Sequence, residues 1–360
     1  MNSVDLRSSY QKTTKRLDGH GSRTIGVLQE ALQSVSADQP SDMYGNGELI
    51  KTFERKIADL LGHDDAIFFP SGTMAQQIAL RIWSDERNNR KVAYHPLCHL
   101  EIHEQDGLKE LHGIKPVLVG EVDRLMTIDD VKALSEVSCL LLELPQRELG
   151  GLLPSREELE IICAYAREQG IRLHLDGARL LEILPYYEAS AKEIAELFDS
   201  VYISFYKGLG GVAGAILAGP EAFCREARIW KRRYGGDLIS LYPYILSADH
   251  YYEQRKDRMA EYHVAAKALA SSLNAIPGIS TRPLEPASNM FHLYFEADKA
   301  VVEEKLIDIQ SHGKIGIAGY LVEKEKGCAT EINIGDSFLA LTTDERESVF
   351  RQLTEAFSED

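Results

Sequence analysis

The stretch IRLHLDGARLLEIL, residues 171–184, joins a short apolar run to a helical pattern through a polar Asp-Gly turn. Directly before it, SREELEIICAYAREQG (155–170) carries the signals of a complete helix. Ser155 is a suitable N-cap, Glu158 completes a capping box, and Gly170 can end the helix. A helix, a buried strand and a second helix in succession predict one unit of an α/β fold.

The same alternation extends over residues 48–220. ELIKTFERKIADLL (48–61) has apolar residues at helical spacing. Strand candidates recur between helical segments, at AIFF (66–69), KVAY (91–94), PVLV (116–119), CLLLEL (139–144), IRLHL (171–175), VYISF (201–205) and AILA (215–218). Strands that are apolar throughout are buried on both faces, so we expect a mostly parallel sheet covered by helices on both sides.

The pattern changes after residue 220. Long helical stretches are predicted at 221–233 and 247–275, followed by strands at 289–295 and 330–334 and helices near 298–311 and 343–357. We therefore expect three parts: an N-terminal arm over residues 1–40, a large α/β domain over 41–245, and a connecting helix with a small C-terminal α+β domain over 246–360.

Composition excludes several classes of function. The chain has 360 residues and a formal charge of −16, which disfavours nucleic acid because phosphates require a basic surface. No apolar run reaches the roughly 18–20 residues that span a bilayer, and the N-terminus lacks a signal-peptide core, so we expect a cytoplasmic protein without membrane contact. The five cysteines are widely spaced without a CxxC pair, which predicts reduced, buried thiols and no metal site.

Three polar segments follow predicted strands, where open α/β sheets bind their ligands. Ser71-Gly72-Thr73 precedes a helix and could bind phosphate, although such a turn is also a common N-cap. Asp176 could hold a cationic ring nitrogen or a metal, or only cap the next helix. Arg179 could bind a carboxylate or form a structural ion pair. Lys207, between a strand and a glycine-rich turn, could form a Schiff base or simply be solvated.

These segments together match the requirements of pyridoxal 5′-phosphate. The phosphate needs an anchor, the aldehyde needs a lysine, and the pyridine nitrogen needs an acidic partner that keeps it protonated. Lys207 follows Asp176 by 31 residues, and the combination is far more specific than either residue alone.

Several motifs of this sequence resemble those of the threonine aldolase / β-eliminating lyase family of fold-type-I pyridoxal-phosphate enzymes. They are DLRS (5–8), MYGNGELIKTFERKIADLLG (43–62), AIFFPSGTMAQQIAL (66–80), HLEIHE (99–104), HLDGARL (174–180), KGLGG (207–211) and WKRRYGG (230–236). The resemblance, closest to low-specificity or L-allo-threonine aldolases, implies a seven-stranded-type sheet in the large domain.

The resemblance also implies a role for each matching residue. Lys207 matches the Schiff-base lysine, and Asp176 matches the partner of the pyridine nitrogen. His99 matches the histidine that stacks on the cofactor ring and is a candidate base. Ser71, Gly72 and Thr73 match the phosphate loop. Arg179 matches an arginine that lies near the cofactor and binds the substrate carboxylate. Tyr44 and Arg232 match positions that reach a neighbouring subunit's site, which implies a homodimer or homotetramer, and Ser8 joins Tyr44 in the expected substrate site.

The sequence departs from this family at three places. Leu144-Pro145-Gln146-Arg147 replaces an N-T-H-N stretch whose histidine contacts the substrate hydroxyl, Tyr206 replaces a common serine, and Asn333 takes the place of a late arginine. Arg147 could therefore supply the second contact to the substrate carboxylate. Its alternative is a surface pair with Glu148 or Glu143.

We therefore expect a lyase that cleaves a β-hydroxy-α-amino acid of the threonine or allo-threonine type to glycine and an aldehyde. Racemisation, β-elimination or transamination with the same cofactor are the alternatives, because the orientation of the scissile bond selects the reaction. A non-catalytic pyridoxal-phosphate-binding protein is a further alternative. A nicotinamide dehydrogenase is disfavoured because no GxGxxG follows the first strand.

Overall fold

The computed structural model describes residues 5–358; residues 1–4 of the predicted arm and 359–360 of the predicted small domain lie outside the described residues. The strands are β1 Lys15–Arg16, β2 Asp65–Phe69, β3 Lys91–Tyr94, β4 Lys115–Leu118, β5 Cys139–Glu143, β6 Arg172–Asp176, β7 Ser200–Ser204, β8 Ala215–Gly219, β9 Ile279–Arg282, β10 Met290–Phe295, β11 Ile315–Gly316, β12 Val322–Glu323 and β13 Cys328–Asn333.

The α-helices are α1 Leu6–Gln11, α2 Gly26–Leu32, α3 Glu48–Leu61, α4 Gly72–Glu86, α5 His99–Ile102, α6 Gly107–His112, α7 Ile128–Lys132, α8 Arg156–Glu168, α9 Leu180–Tyr187, α10 Ala191–Ala195, α11 Glu221–Arg233, α12 Tyr242–Arg255, α13 Met259–Leu273, α14 Lys299–Gly313, α15 Asp336–Leu339 and α16 Thr343–Phe357. Short 3₁₀ helices occupy Arg147–Leu149 and Lys256–Arg258.

The chain folds into two compact units. The large unit comprises Ile25–Glu148 and Leu153–Asp257. The small unit comprises Leu149–Leu152 with the described residues of Met1–Thr24 and Arg258–Asp360. The units differ from the predicted boundaries because β1 pairs with β11 and α1 packs on α14, whereas α12 packs on α2 and α3.

The large unit is built on a seven-stranded sheet of order β2-β8-β7-β6-β5-β3-β4. Its neighbouring strands are parallel except at β8, which is antiparallel to both β2 and β7. The predicted α/β class with a mostly parallel sheet is confirmed. In the β5–β6–β7 register, Glu143 lies beside Asp176, and Asp176 lies beside Tyr202.

The small unit contains a four-stranded antiparallel sheet of order β12-β13-β10-β9. Helix α13 packs on β9 and β10, and α14 packs on α16. The single helix predicted over 247–275 is wrong. It is two helices, α12 and α13, divided by the 3₁₀ turn at Lys256–Arg258, because one half packs in the large unit and the other in the small unit.

Local sequence signals account for several element boundaries. Helix α8 has the predicted capping box, with Ser155 Oγ accepting from the Glu158 N–H and the Glu158 side chain accepting from the Ser155 N–H. Gly170 follows the helix with φ +67°, a conformation that glycine adopts at little cost. All five cysteines lie within the described chain, and each is buried and outside any disulfide, as predicted. No helix within residues 5–358 is long and apolar enough to cross a membrane.

Core packing holds α4 against the sheet. Trp83 on α4 stacks on Phe223 of α11, with ring centroids 4.6 Å apart and planes at 17°. The Trp83 indole N–H also donates to Ser200 Oγ at 2.8 Å. Because α4 begins at Gly72, directly after β2, this packing sets where its N-terminus lies.

A fully buried histidine contacts the same serine, with His174 Nδ1 2.8 Å from Ser200 Oγ. The indole of Trp83 can only donate, so the Ser200 oxygen accepts from Trp83 and keeps its proton and one lone pair for the imidazole. Burial lowers the pKa of His174 to about 3. His174 is therefore neutral in the native protein near neutral pH.

This burial predicts acid destabilisation through His174. Below pH ~6.5 the unfolded chain protonates this imidazole while the folded chain does not, so stability falls by about 1.4 kcal/mol per pH unit until about pH 3. The variant His174→Asn, which keeps an acceptor for Ser200, should lose about 2 kcal/mol less than the wild type between pH 6.5 and 4.5. Urea unfolding at several pH values measures this difference, and parallel curves for the two proteins would contradict it.

Candidate active site

Most of the predicted site residues of the large unit meet at a cavity beside the carboxyl ends of β5 and β6. The space is about 400 Å³, including volume open to solvent. Its lining residues are Gly72, Thr73, Gln76, His99, Glu104, Glu143, Leu144, Pro145, Arg147, Asp176, Ala178, Arg179, Tyr202, Tyr206 and Lys207. The structure thus brings together residues that are as far as 135 positions apart, from Gly72 to Lys207.

The first wall of the cavity is the N-terminus of α4. Ser71 occupies the N-cap position, but within residues 5–358 its side chain makes no capping hydrogen bond, so the plain N-cap interpretation lacks its expected contact. Gly72 must be glycine, since a Cβ there would lie 2.0 Å from the Tyr202 hydroxyl oxygen. An uncapped helix N-terminus next to a hydroxyl is well suited to a phosphate.

Asp176 ends β6 with a buried carboxylate. Its Oδ2 accepts from the Gln76 amide at 2.7 Å, and its Oδ1 accepts from the Ala178 N–H at 3.1 Å. The second bond is a local cap, as one interpretation predicted, yet each oxygen keeps a further lone pair. Gln76 Oε1 is buried and has no hydrogen-bond partner in the described part of the chain. A bound group with an N–H would complete this polar set.

Lys207 is half-buried and follows β7 in the turn before the glycines. Burial lowers the pKa of Lys207, and the nearby positive charge of Arg179 lowers it further. Arg179 is itself buried at the N-cap of α9. A lysine of lowered pKa carries more of the neutral amine that attacks a carbonyl.

Glu182, on α9, supports the turn that carries Lys207. A Cβ on Gly208 would lie 1.8 Å from Glu182 Oε1, so only glycine allows this close approach. Burial raises the pKa of Glu182 to about 7, while the charges of Arg179 and Lys207 lower it. The carboxyl group therefore lies within the field of two cations of the cavity, Arg179 and Lys207.

His99 begins α5 at another wall of the cavity. Its Nδ1 lies 3.3 Å from Glu104 Oε1, so the two ends of the HLEIHE motif (99–104) meet in space. Glu104 is held in turn by the Gln77 amide, which donates to Oε2 at 2.9 Å. His99 and Glu104 are thus within ion-pair distance, without a hydrogen bond between them in the described part of the chain.

Arg147 forms the predicted ion pair with Glu148 and also lines the cavity. Its Nη1 donates to Glu148 Oε1 at 2.8 Å, and its contact with a substrate carboxylate stays a prediction. The backbone N–H of Arg147 donates to Glu143 Oε1 at 3.2 Å. The guanidinium is half-buried, so it combines an ion pair with access to the cavity.

Four residues singled out from the sequence are not among those that line this cavity. Ser8 belongs to the small unit, in α1, where its N–H donates to the Asp5 carboxylate at 2.7 Å. Tyr44 and Arg232 belong to the large unit and contact each other, with the guanidinium 4.9 Å from the ring centroid. Asn333, in β13 of the small unit, donates to Glu331 Oε1 at 2.7 Å.

Sequence reasoning missed Gln76, Tyr202 and the role of Glu143. Gln76 lies four residues after Gly72 on the same face of α4, and this helical spacing could have been recognised in the sequence. Glu143 ends a predicted strand just as Asp176 does. Tyr202 carried no local signal, since an aromatic residue inside a strand is more often a core residue.

Comparison with known proteins places the chain in a family. The sequence profile described as beta-eliminating lyase matches residues 26–296, about three quarters of the chain. The chain belongs to this family. Its members are pyridoxal-phosphate-dependent lyases of the threonine aldolase / β-eliminating type.

Two solved structures are closely similar to the chain. A protein from Exiguobacterium sp. 255-15, provisionally described as an aromatic amino acid beta-eliminating lyase/threonine aldolase, shares 63% identity at a TM-score of 0.97, over 98% of this chain and 99% of its own. A provisional L-allo-threonine aldolase from Listeria monocytogenes shares 59% identity at a TM-score of 0.96, over 98% of each chain.

More distant relatives agree with this placement. Low-specificity L-threonine aldolase 1 from Arabidopsis thaliana is 26% identical over 89% of each chain. A solved fold-type-I enzyme with only 14% identity still superposes at a TM-score of 0.68, which is evidence for the fold alone. The predicted family and fold type are thus confirmed.

Proposed function

We propose that this protein is a pyridoxal-phosphate-dependent lyase that cleaves a β-hydroxy-α-amino acid of the threonine or allo-threonine type to glycine and an aldehyde. The observation that carries the proposal is the convergence of Lys207, Asp176 and the open N-terminus of α4 in one cavity. Relatives named threonine aldolase along nearly the whole chain support it.

The residues present fit the cofactor. Gly72 and Thr73, with Ser71 at the N-cap, would hold the phosphate at the N-terminus of α4. Lys207 would bind the aldehyde carbon, and Asp176 would keep the ring nitrogen protonated. When bound, pyridoxal phosphate supplies an electron sink for the carbanion that forms at the substrate Cα.

The remaining cavity residues would act on the substrate. Arg179, buried and planar, would bind the α-carboxylate, with Arg147 as a second contact. His99 would stack on the cofactor ring and, alone or through a water, take the proton of the β-hydroxyl, with the Glu104 carboxylate beside the imidazole. Loss of that proton lets the Cα–Cβ bond break with release of the aldehyde.

A second candidate reaction, β-elimination, is supported by the family profile and by the description of the Exiguobacterium protein. Both reactions use the same lysine and the same acidic partner. They differ in the bond that is broken, so the products distinguish them: glycine and an aldehyde, or a keto acid with ammonia. The cytoplasmic location remains a prediction.

The purified protein, loaded with pyridoxal phosphate, should release glycine and aldehyde from a panel containing threonine, allo-threonine and phenylserine. Borohydride should fix the cofactor on Lys207, because its lowered pKa favours the neutral amine, and peptide mapping locates the label. Label on another lysine would reject the assignment of Lys207. A keto acid in place of glycine would support β-elimination.

The variant Arg147→Gln should raise the KM for the best substrate by about tenfold or more, a loss of at least ~1.4 kcal/mol. The reason is that a carboxylate in a largely dry cavity requires a second cation when Asn333 replaces the late arginine. The matched control is Arg156→Gln, which removes an exposed arginine paired with Glu160 at 2.7 Å on α8. Equal KM values for both variants and the wild type would show that Arg147 forms only a surface ion pair.

We further propose that the protein is a homo-oligomer whose subunits share their sites. A cavity of about 1300 Å³ in the large unit, including volume open to solvent, is lined by residues that include Tyr44, Arg228 and Lys231. Beside it Met43 and Ile239 are 63% and 56% exposed, two large apolar side chains on the same part of the surface. A second copy that covers this surface would bring Tyr44 and Arg232 to the site of its neighbour.

Light scattering should therefore give a mass of at least twice the 40.3 kDa of one chain. Co-expression of Lys207→Ala with Arg232→Ala should restore activity that each variant lacks alone, because mixed oligomers contain one site with both native residues. A fully active monomer would contradict the proposal, and so would mixed oligomers without recovered activity.

A further inference from the structure

Five residues beside the cavity form a closed circuit of contacts, which we call the Glu143 ring. Glu143 Oε2 accepts from the His99 N–H at 3.0 Å, and Oε1 accepts from the Arg147 N–H at 3.2 Å. Arg147 and His103 meet at Glu148 Oε1, at 2.8 and 3.1 Å. The rings of His103 and His99 close the circuit with centroids 5.1 Å apart.

Both side-chain oxygens of Glu143 accept hydrogen bonds from backbone N–H groups. Its two oxygens receive N–H groups from segments 44 and 4 residues away, the start of α5 and the 3₁₀ turn. A carboxylate can accept on both oxygens, whereas the amide of glutamine has only one acceptor. Only an acidic residue of this length therefore serves both contacts.

Other charged groups surround this carboxyl group. Burial raises the pKa of Glu143, and the adjacent Asp176 carboxylate raises it further, while the two N–H donors and the charge of His99 lower it. The Glu143 charge also acts on Lys207 and on the buried Cys98. The two N–H donors thus stabilise the charged form of Glu143 against repulsion by the Asp176 carboxylate.

We infer that Glu143 is a positioning residue that fixes the His99 segment and the Arg147 segment relative to each other and to Asp176. This inference rests on the proposed function, in which His99 acts at the β-hydroxyl and Arg147 at the carboxylate. If one acceptor is lost, one segment is released, and a displacement of about 1 Å can cost up to about a hundredfold in rate.

The test compares Glu143→Gln with a matched control, Asp199→Asn. Asp199 is also half-buried and also accepts on both oxygens, from the Leu173 N–H at 2.8 Å and from Arg172 Nη1 at 2.8 Å. It precedes β7, at the opposite end of the strands from Glu143. The same change from carboxylate to amide therefore perturbs the sheet without reaching the cavity.

Hydrogen exchange of the cofactor-free proteins gives the first readout. Glu143→Gln should speed exchange by about tenfold or more in peptides covering 98–104 or 145–149, and leave those covering 172–176 unchanged. Asp199→Asn should show the reverse pattern. Unaltered exchange in both Glu143-bonded segments would overturn the inference, whatever reaction the enzyme performs.

Kinetics of the loaded enzymes give the second readout. Glu143→Gln should lower kcat/KM between about tenfold and a hundredfold, through kcat if His99 moves and through KM if Arg147 moves, while borohydride still labels Lys207. Glu143→Asp, which keeps both acceptors on a shorter arm, should recover part of this loss and replaces Glu143→Gln if that variant does not fold. Asp199→Asn should stay within about twofold of the wild type.

The outcomes separate this inference from the proposed function. A wild type without glycine-forming activity would reject the proposed function, and the exchange pattern would still decide whether Glu143 holds both segments. Normal kcat/KM in Glu143→Gln, in an active wild type, would overturn the positioning role alone. An equal loss in Asp199→Asn would also overturn it, since the effect would then be one of general stability.

Discussion

Three parallel strands, β5, β6 and β7, end at one edge of the large sheet, and the chemistry of the cavity depends on that alignment. Their register sets Glu143, Asp176 and Tyr202 side by side. A parallel ladder fixes such neighbours through backbone hydrogen bonds alone, before any side chain makes a contact. The turns that follow these strands then bring Arg147, Arg179 and Lys207 to the same edge.

The cavity balances buried charge of both signs. Asp176 and Glu143 face the cations of Lys207 and Arg179, so that no single charge carries the full cost of leaving water. The carboxylates are held by N–H donors from Gln76, His99 and the Arg147 backbone. These contacts are made within the protein itself and hold the walls that would meet the cofactor.

Local sequence signals predicted the elements whose boundaries depend on local physics. The predicted bounds of α3, β3, α11 and α16 agree with the structure, because apolar periodicity and end residues decide them. The division of 247–275 into α12 and α13 followed from packing in two different units, and so did the place of residues 5–24 with the C-terminal part of the chain. No local sequence pattern in these residues predicts either result.

The sequence by itself determined the α/β class, the family resemblance and the two residues with the clearest local context, Asp176 after β6 and Lys207 after β7. Only the tertiary structure decided which groups surround them. Gln76 meets Asp176 across 100 residues and Glu143 meets His99 across 44 residues. Strand register and helix packing set such distances, and both are properties of the folded chain that no local pattern of residues encodes.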